Sequence, residues 1–243
     1  MGIAGTALRE ILSMGIPKVA VTVSLDGYRK LHDRLRGVPG NYDKAISMYK
    51  RLMELKKEFP SLYMVFGYTL SKMNQGEFQK TFDAVKVDIP SITYNDFHIN
   101  LAQLSENYYN NATNEITPDN AVVVREVSDF ASKRRYQLGM ISAIEGTFMR
   151  NLVRYAKTGK TPMRSRSLDA SLFMDSFGNV YPSIMWNRKI GNIRETGYEL
   201  RKLWRSDEAD SARRDIAEGK EPSQWTSCEA YQSITGNVLS MFR

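Results

Sequence analysis

One cysteine and two histidines are all that the 243 residues supply of the softer metal ligands. A single cysteine closes no intramolecular disulfide, which fits a reducing compartment and makes the Asn111-Ala112-Thr113 glycosylation triplet an expected accident. With so few donors no Ser-His-Asp set, zinc spacing or Cys-His pair is legible, so metal hydrolysis and thiol catalysis lack their residues. No apolar run approaches the roughly 20 residues that cross a bilayer. Met1-Gly2-Ile3-Ala4 also lacks the basic and apolar pattern of a cleaved leader. The expectation is a cytoplasmic protein with no membrane partner.

Charge of one sign is in modest excess: 34 basic against 27 acidic residues leave +7 over the whole length. The densest places are Lys133-Arg134-Arg135, Arg164-Ser165-Arg166 and Arg213-Arg214. A nucleic-acid surface would interleave clustered Lys and Arg with stacking aromatics or show a binding module, and neither is visible. These charges read as solvated faces, and a nucleic-acid partner is not expected. Thr158-Gly159-Lys160-Thr161 mimics the end of a phosphate loop, but the first required glycine would fall at Arg154, so that motif is rejected.

What is present is ample core material, 42% hydrophobic residues, arranged around Val19 to Asn41. Val19, Val21 and Val23 suit a buried strand, Asp26-Gly27 stops it by turn chemistry, and a polar loop with His32, Asp33 and Arg36 is expected to follow. Sites in such folds sit past the carboxyl ends of strands. Before this stretch, Ala7, Leu8, Ile11, Leu12 and Met14 have helical spacing, and after it Ala45, Ile46, Tyr49, Leu52 and Met53 form one helical stripe. Leu62 to Leu70 reads as a second buried strand with Ser71 to Asn74 at its mouth, and Glu77 to Val85 as a short helix.

Phe97 to Gln103 reads as an alternating strand, with Phe97, Ile99 and Leu101 set against His98 and Asn100. His98 and Asn100 are thus either pocket residues or satisfied polar groups in a tight interior. Strand, helix, strand, helix, strand is the order of a parallel sheet with right-handed crossovers. A closed eight-stranded barrel takes about 250 residues by itself, so three legible strands imply an α/β fold with a partial barrel or open sheet. The exposed edge beside Val19 to Gly27 then needs a cover.

Thr117-Pro118 is expected to start one long helix whose stripe runs from Val123 through Phe130, Leu138, Ile141 and Phe148 to Tyr155, interrupted at Arg134. The texture changes between Thr161 and Ser167, giving domains over 1–162 and 163–243. In the second, Leu172 to Tyr181 reads as a hairpin turning at Phe177-Gly178-Asn179, with Asp175 as a turn former. Short helices are expected over Gly197 to Trp204 and Asp207 to Glu218, and a terminal one over Tyr231 to Phe242.

Ser24-Leu25-Asp26-Gly27, then His32-Asp33, then Leu35-Arg36-Gly37 and a helix near Asp43 resemble the fourth βα unit of radical S-adenosylmethionine enzymes. The branch resembled carries an appended cysteine-rich SPASM or twitch domain. A second match runs through Asp175 to Pro182, Ile190-Gly191-Asn192-Ile193 and Trp225-Thr226-Ser227-Cys228-Glu229-Ala230. The resemblance implies a partial TIM-type (β/α) barrel made of C-terminal βα units, followed by a small α+β SPASM/twitch-like domain. It implies S-adenosylmethionine and a [4Fe-4S] cluster as cofactors, reductive cleavage to a 5′-deoxyadenosyl radical, and a peptide or small-molecule substrate.

The chain departs from that pattern. The Cys-x-x-x-Cys-x-x-Cys loop is absent, and Gly2 to Gly15 looks like the helix before the fourth strand. The expected partner is therefore an N-terminal half encoded separately, without which the chain is inactive. Ser183 and Gln224 stand where the family usually has cysteine, and Cys228 falls on the one family cysteine that survives, the single candidate metal ligand. Under the resemblance, Ser24 and Asp26 face the cofactor, with Arg36 a candidate for its carboxylate; His98 and Asn100, from the alternation of their strand, complete the cofactor-binding candidates. Asp26 equally serves as a plain turn cap. The alternative is a cluster-free binding or scaffolding module, motivated by Ser183 and Gln224.

Overall fold

The computed structural model describes residues 3–135 and 139–237. Contacts divide the chain into two units, Met1–Asn100 with Ser132–Arg135, and Leu101–Ala131 with Tyr136–Arg243. The contacts thus part at Leu101, whereas the change of sequence texture lies near 162.

The first unit runs α1 (Ile3–Ser13), β1 (Val19–Ser24), α2 (Arg29–Arg36), α3 (Asn41–Glu58), β2 (Leu62–Leu70), α4 (Phe78–Asp88) and β3 (Phe97–Leu101). The three strands form one parallel sheet in the order β1-β2-β3, so the chain is mixed α/β. No closed barrel forms among the described residues. β1 and β2 pair in register from Val19 opposite Leu62 to Ser24 opposite Gly67. A Cβ at Gly67 would lie 2.6 Å from the Thr22 Cγ2, so this pairing requires glycine there.

Burial of aromatic rings holds the unit together. Tyr49 of α3 stacks on Phe66 of β2 with centroids 3.9 Å apart, and Phe66 and Phe78 each lie 5.3 Å from Phe97. Burying such side chains contributes about 1.5–3 kcal/mol each. Of the α3 stripe, Ala45, Ile46, Tyr49 and Leu52 are buried as the spacing predicts, whereas Met53 is half-buried and Leu55 is buried instead.

Two expectations fail in this unit. β1 is not a buried strand: its residues alternate between half-buried and exposed, so one face is solvated, and among the described residues only β2 pairs with it. The segment with His32, Asp33 and Arg36 is not a loop but the helix α2, which buries Leu31 and His32 and ends at Gly37.

The second unit contains most of α5 (Asn120–Lys133), then α6 (Met140–Thr158), β4 (Phe173–Met174), β5 (Asn179–Tyr181), β6 (Gly191–Asn192), α7 (Leu200–Trp204), α8 (Asp207–Ala217) and α9 (Ser227–Thr235). The small antiparallel sheet is ordered β4-β5-β6. The expected hairpin is present, and Asp175 makes its turn by accepting from the Phe177 and Asn179 backbone N–H groups at 2.9 and 2.8 Å.

The single long helix is two. α5 ends at Lys133, before the polar Arg134 that breaks the stripe, and α6 begins after Gly139. Gly139 has φ 130°, a backbone conformation open to glycine and strained for other residues. Leu138 lies outside the described residues. The terminal helix is Ser227–Thr235 rather than Tyr231 to Phe242, of which positions 238–242 lie outside the described residues. Trp225 is buried, stacked on Phe148, and donates Nε1–H to the Phe148 carbonyl at 3.0 Å. A separate apolar cluster of Leu168, Val180, Ile190, Ile193 and Leu203 packs with Ala209 and Ala212. No helix of the described residues is long and apolar enough to cross a membrane.

Candidate functional site

The loops past β1 and β2 converge on Asp26, which is 8% exposed. Its Oδ1 accepts from the Thr69 backbone N–H at 2.9 Å and its Oδ2 lies 2.5 Å from Arg36 Nη2. Its backbone carbonyl accepts from Asn74 Nδ2 at 3.0 Å. Asn74 is satisfied on every side: it also donates to the Thr69 carbonyl, and its Oδ1 accepts from the Ser71 N–H and hydroxyl. A turn that sequence places at the mouth of β2 is thereby locked onto the turn after β1.

His32, fully buried, closes the cluster from α2. The Asp26 N–H donates to His32 Nδ1 at 3.0 Å, so the neutral ring carries its proton on Nε2, which faces the Asn41 side-chain amide at 3.0 Å. A proton on Nε2 requires an acceptor, which orients the Asn41 amide oxygen toward the ring. Burial, more than the opposing attraction of Asp26, lowers the His32 pKa and keeps the imidazole neutral. Asp33 turns the other way: its carboxylate accepts from the Tyr42 N–H at 2.8 Å and the Gly40 N–H at 2.7 Å. Those bonds, Tyr42 foremost, hold it below the usual carboxylate range.

The structure therefore brings Asp26 and Arg36 together, turned on one another. Ser24 ends β1 with an exposed side chain. His98 is buried and Asn100 half-buried, with the Asn100 Oδ1 lacking a hydrogen-bond partner. Both lie on β3, separated from β1 by β2 in the sheet order. A groove of about 700 Å³ along α3 is lined by Ile46, Lys50, Glu54, Asp88 and Pro90, none of them a candidate site residue from the sequence.

Neither implied cofactor finds its ligands. A [4Fe-4S] cluster takes several thiolates, and the one thiol, Cys228, is exposed on α9. The protein around it, and secondarily the Glu229 carboxylate, raise its pKa and disfavour the thiolate. Among the described residues no group of three or more His, Cys, Asp or Glu is placed to hold a metal. For S-adenosylmethionine, the Arg36 charge expected to meet a carboxylate already meets Asp26.

No family model, curated protein or solved structure matches the chain. The resemblance therefore rests on the motif residues alone, and their surroundings decide how to read it. Ser183 is 0% exposed and Gln224 is 2% exposed, so both are interior residues of the second unit. Gln224 Nε2 donates to Glu221 Oε1 at 2.8 Å, and Ser167 Oγ donates to the same oxygen at 2.9 Å. Asn107 Nδ2 donates to the Ser183 carbonyl at 3.2 Å. Glu229 accepts from Ser171 Oγ at 3.1 Å and lies 3.5 Å from Ser167 Oγ.

Sequence reasoning missed this polar interior. Its signal was Thr226-x-x-Glu229, a capping-box pattern at the start of α9. The box does not form: Thr226 makes no side-chain cap bond, and the glutamate points to the serines instead.

Proposed function

We propose that the chain is a cluster-free binding or scaffolding module related to the C-terminal part of radical S-adenosylmethionine proteins of the SPASM type. One observation carries this reading: the positions resembling auxiliary-cluster cysteines hold Ser183 and Gln224, both buried, with Gln224 bonded to Glu221. In this reading the polar interior around Gln224 and Glu221 stands in for a thiolate shell. The locked Asp26 cluster supports the same reading, because Asp26, Arg36, His32 and Asn74 spend their polar groups on one another and on backbone. In this reading the βα units are a partial barrel used as a frame, and the ligand is a peptide or small metabolite.

The second reading is half of a split enzyme whose companion carries the catalytic cluster and cleaves S-adenosylmethionine. Among the described residues nothing pairs with the outer edge of β1, and this favours it, since an unpaired strand edge is a ready partner for another. Anaerobic iron and sulfide analysis with an absorption spectrum separates the two. The module reading expects a folded chain with no iron, alone or co-expressed with the upstream reading frame. Iron and reductive cleavage activity appearing only in the co-expressed complex establishes the split enzyme instead.

A further inference from the structure

In the second unit a buried carboxylate, Glu229, and a half-buried one, Glu221, flank one hydroxyl, and no cationic side chain of the described residues pairs with either. Ser167 Oγ lies 2.9 Å from Glu221 Oε1 and 3.5 Å from Glu229 Oε2. Glu229 is 8% exposed. Neither glutamate forms an ion pair with any described Lys, Arg or His. A buried carboxylate without a counter-charge is costly, and folds answer it with a proton, a basic side chain or a metal ion.

The neutral groups around the pair point to the third answer. Gln224 gives its amide nitrogen to Glu221, so the oxygen of the same amide is held beside the carboxylate pair. That Oε1 is fully buried and accepts no hydrogen bond. Exchanging its oxygen and nitrogen would set oxygen against carboxylate, so the orientation is forced. An unsatisfied, fully buried amide oxygen on a side chain bonded to one of an acidic pair is a donor suited to a hard cation.

We propose that Glu221 and Glu229, completed by the Gln224 side-chain oxygen and the Ser167 hydroxyl, hold one divalent, oxygen-preferring cation of the calcium class. Two carboxylates balance a double positive charge, and calcium accepts mixed carboxylate, amide, hydroxyl and water oxygens in flexible geometry. Thiophilic metals have no ligand at this position, since Cys228 faces solvent.

The test uses the full chain, stripped with a chelator and titrated with calcium chloride at pH 8, by calorimetry and thermal melting. One saturable site per chain and a raised thermal midpoint are expected. Glu229→Gln and Glu221→Gln should each weaken uptake at least tenfold, while the stripped Glu229→Gln protein melts no lower than stripped wild type, which shows that it is folded. If Glu229→Gln is unstable, Glu221→Gln carries the comparison. Absence of saturable uptake by stripped wild type overturns the proposal, as does undiminished uptake by both variants. Stabilisation by sodium chloride without calcium uptake overturns the divalent assignment.

Discussion

The Asp26 carboxylate accepts the backbone N–H of Thr69 at 2.9 Å, across 43 residues of sequence. One side chain thereby ties the end of β1 to the end of β2. Arg36 covers the second oxygen of Asp26. Replacing Asp26 by Ala leaves the Thr69 donor and the Arg36 charge without their partner. We expect a loss of about 2–3 kcal/mol, read as a lowered urea midpoint. Arg36→Met, which keeps most of the stem, should cost less than Asp26→Ala; the reverse order would mean that the ion pair, not the Thr69 bond, holds the turn.

His32 makes stability depend on pH with a definite sign. Its folded pKa lies below the ordinary 6.5, so the unfolded chain takes up its proton first as pH falls. The stability this histidine contributes is present above pH 6.5 and is lost as pH drops through the lowered folded value, by up to about 1.4 kcal/mol per pH unit. Urea midpoints of wild type and His32→Gln between pH 7.5 and 5 should therefore converge. Parallel curves would refute the neutral-ring arrangement.

Glu229 works in the opposite direction. Burial chiefly pushes its pKa up to about 7 from 4.5. The folded state keeps the proton longer, so in the presence of chelator stability falls as pH rises from 4.5 through 7. Glu229→Gln should be more stable than wild type at pH 8, by on the order of 2 kcal/mol, and indistinguishable from it at pH 4.5. A destabilised variant at pH 8 would show that the carboxylate charge itself is well accommodated.

Gly67→Ala places a methyl group against the Thr22 Cγ2. A cost of about 1–3 kcal/mol is expected from overpacking. Thr22→Ser removes the offending methyl, so the double variant should recover most of the loss. Additive losses would show that Gly67 serves something other than this close approach.

Much of this architecture is legible in the sequence, and its failures have physical causes. β2 and α3 declare themselves through a long apolar run and a clean stripe, both backed by burial. The Val19-Ala20-Val21-Thr22-Val23 run announces a strand, but β-branched residues report a pleated backbone and not how many neighbours flank it. α2 spans eight residues, of which Leu31 and Leu35 are the apolar ones, too few to outweigh its four basic residues in any periodic pattern. Among the candidate site residues, the Asp26 to Arg36 pairing needed α2 to be a helix before it could be foreseen. The Glu229 network stayed hidden because Thr226-x-x-Glu229 looks like an ordinary helix cap until the glutamate is seen to turn inward.

Asp33 joins partners only seven and nine residues away, Gly40 and Tyr42. The Asp26 to Thr69 bond must close a loop several times longer. Loop closure of the short kind is fast and entropically mild, so the corner between α2 and α3 can assemble early and persist while β2 is still finding β1. These separations predict an order of assembly: a locally built corner first, presenting Asp26 in position, and a long-range clasp that completes the sheet afterwards.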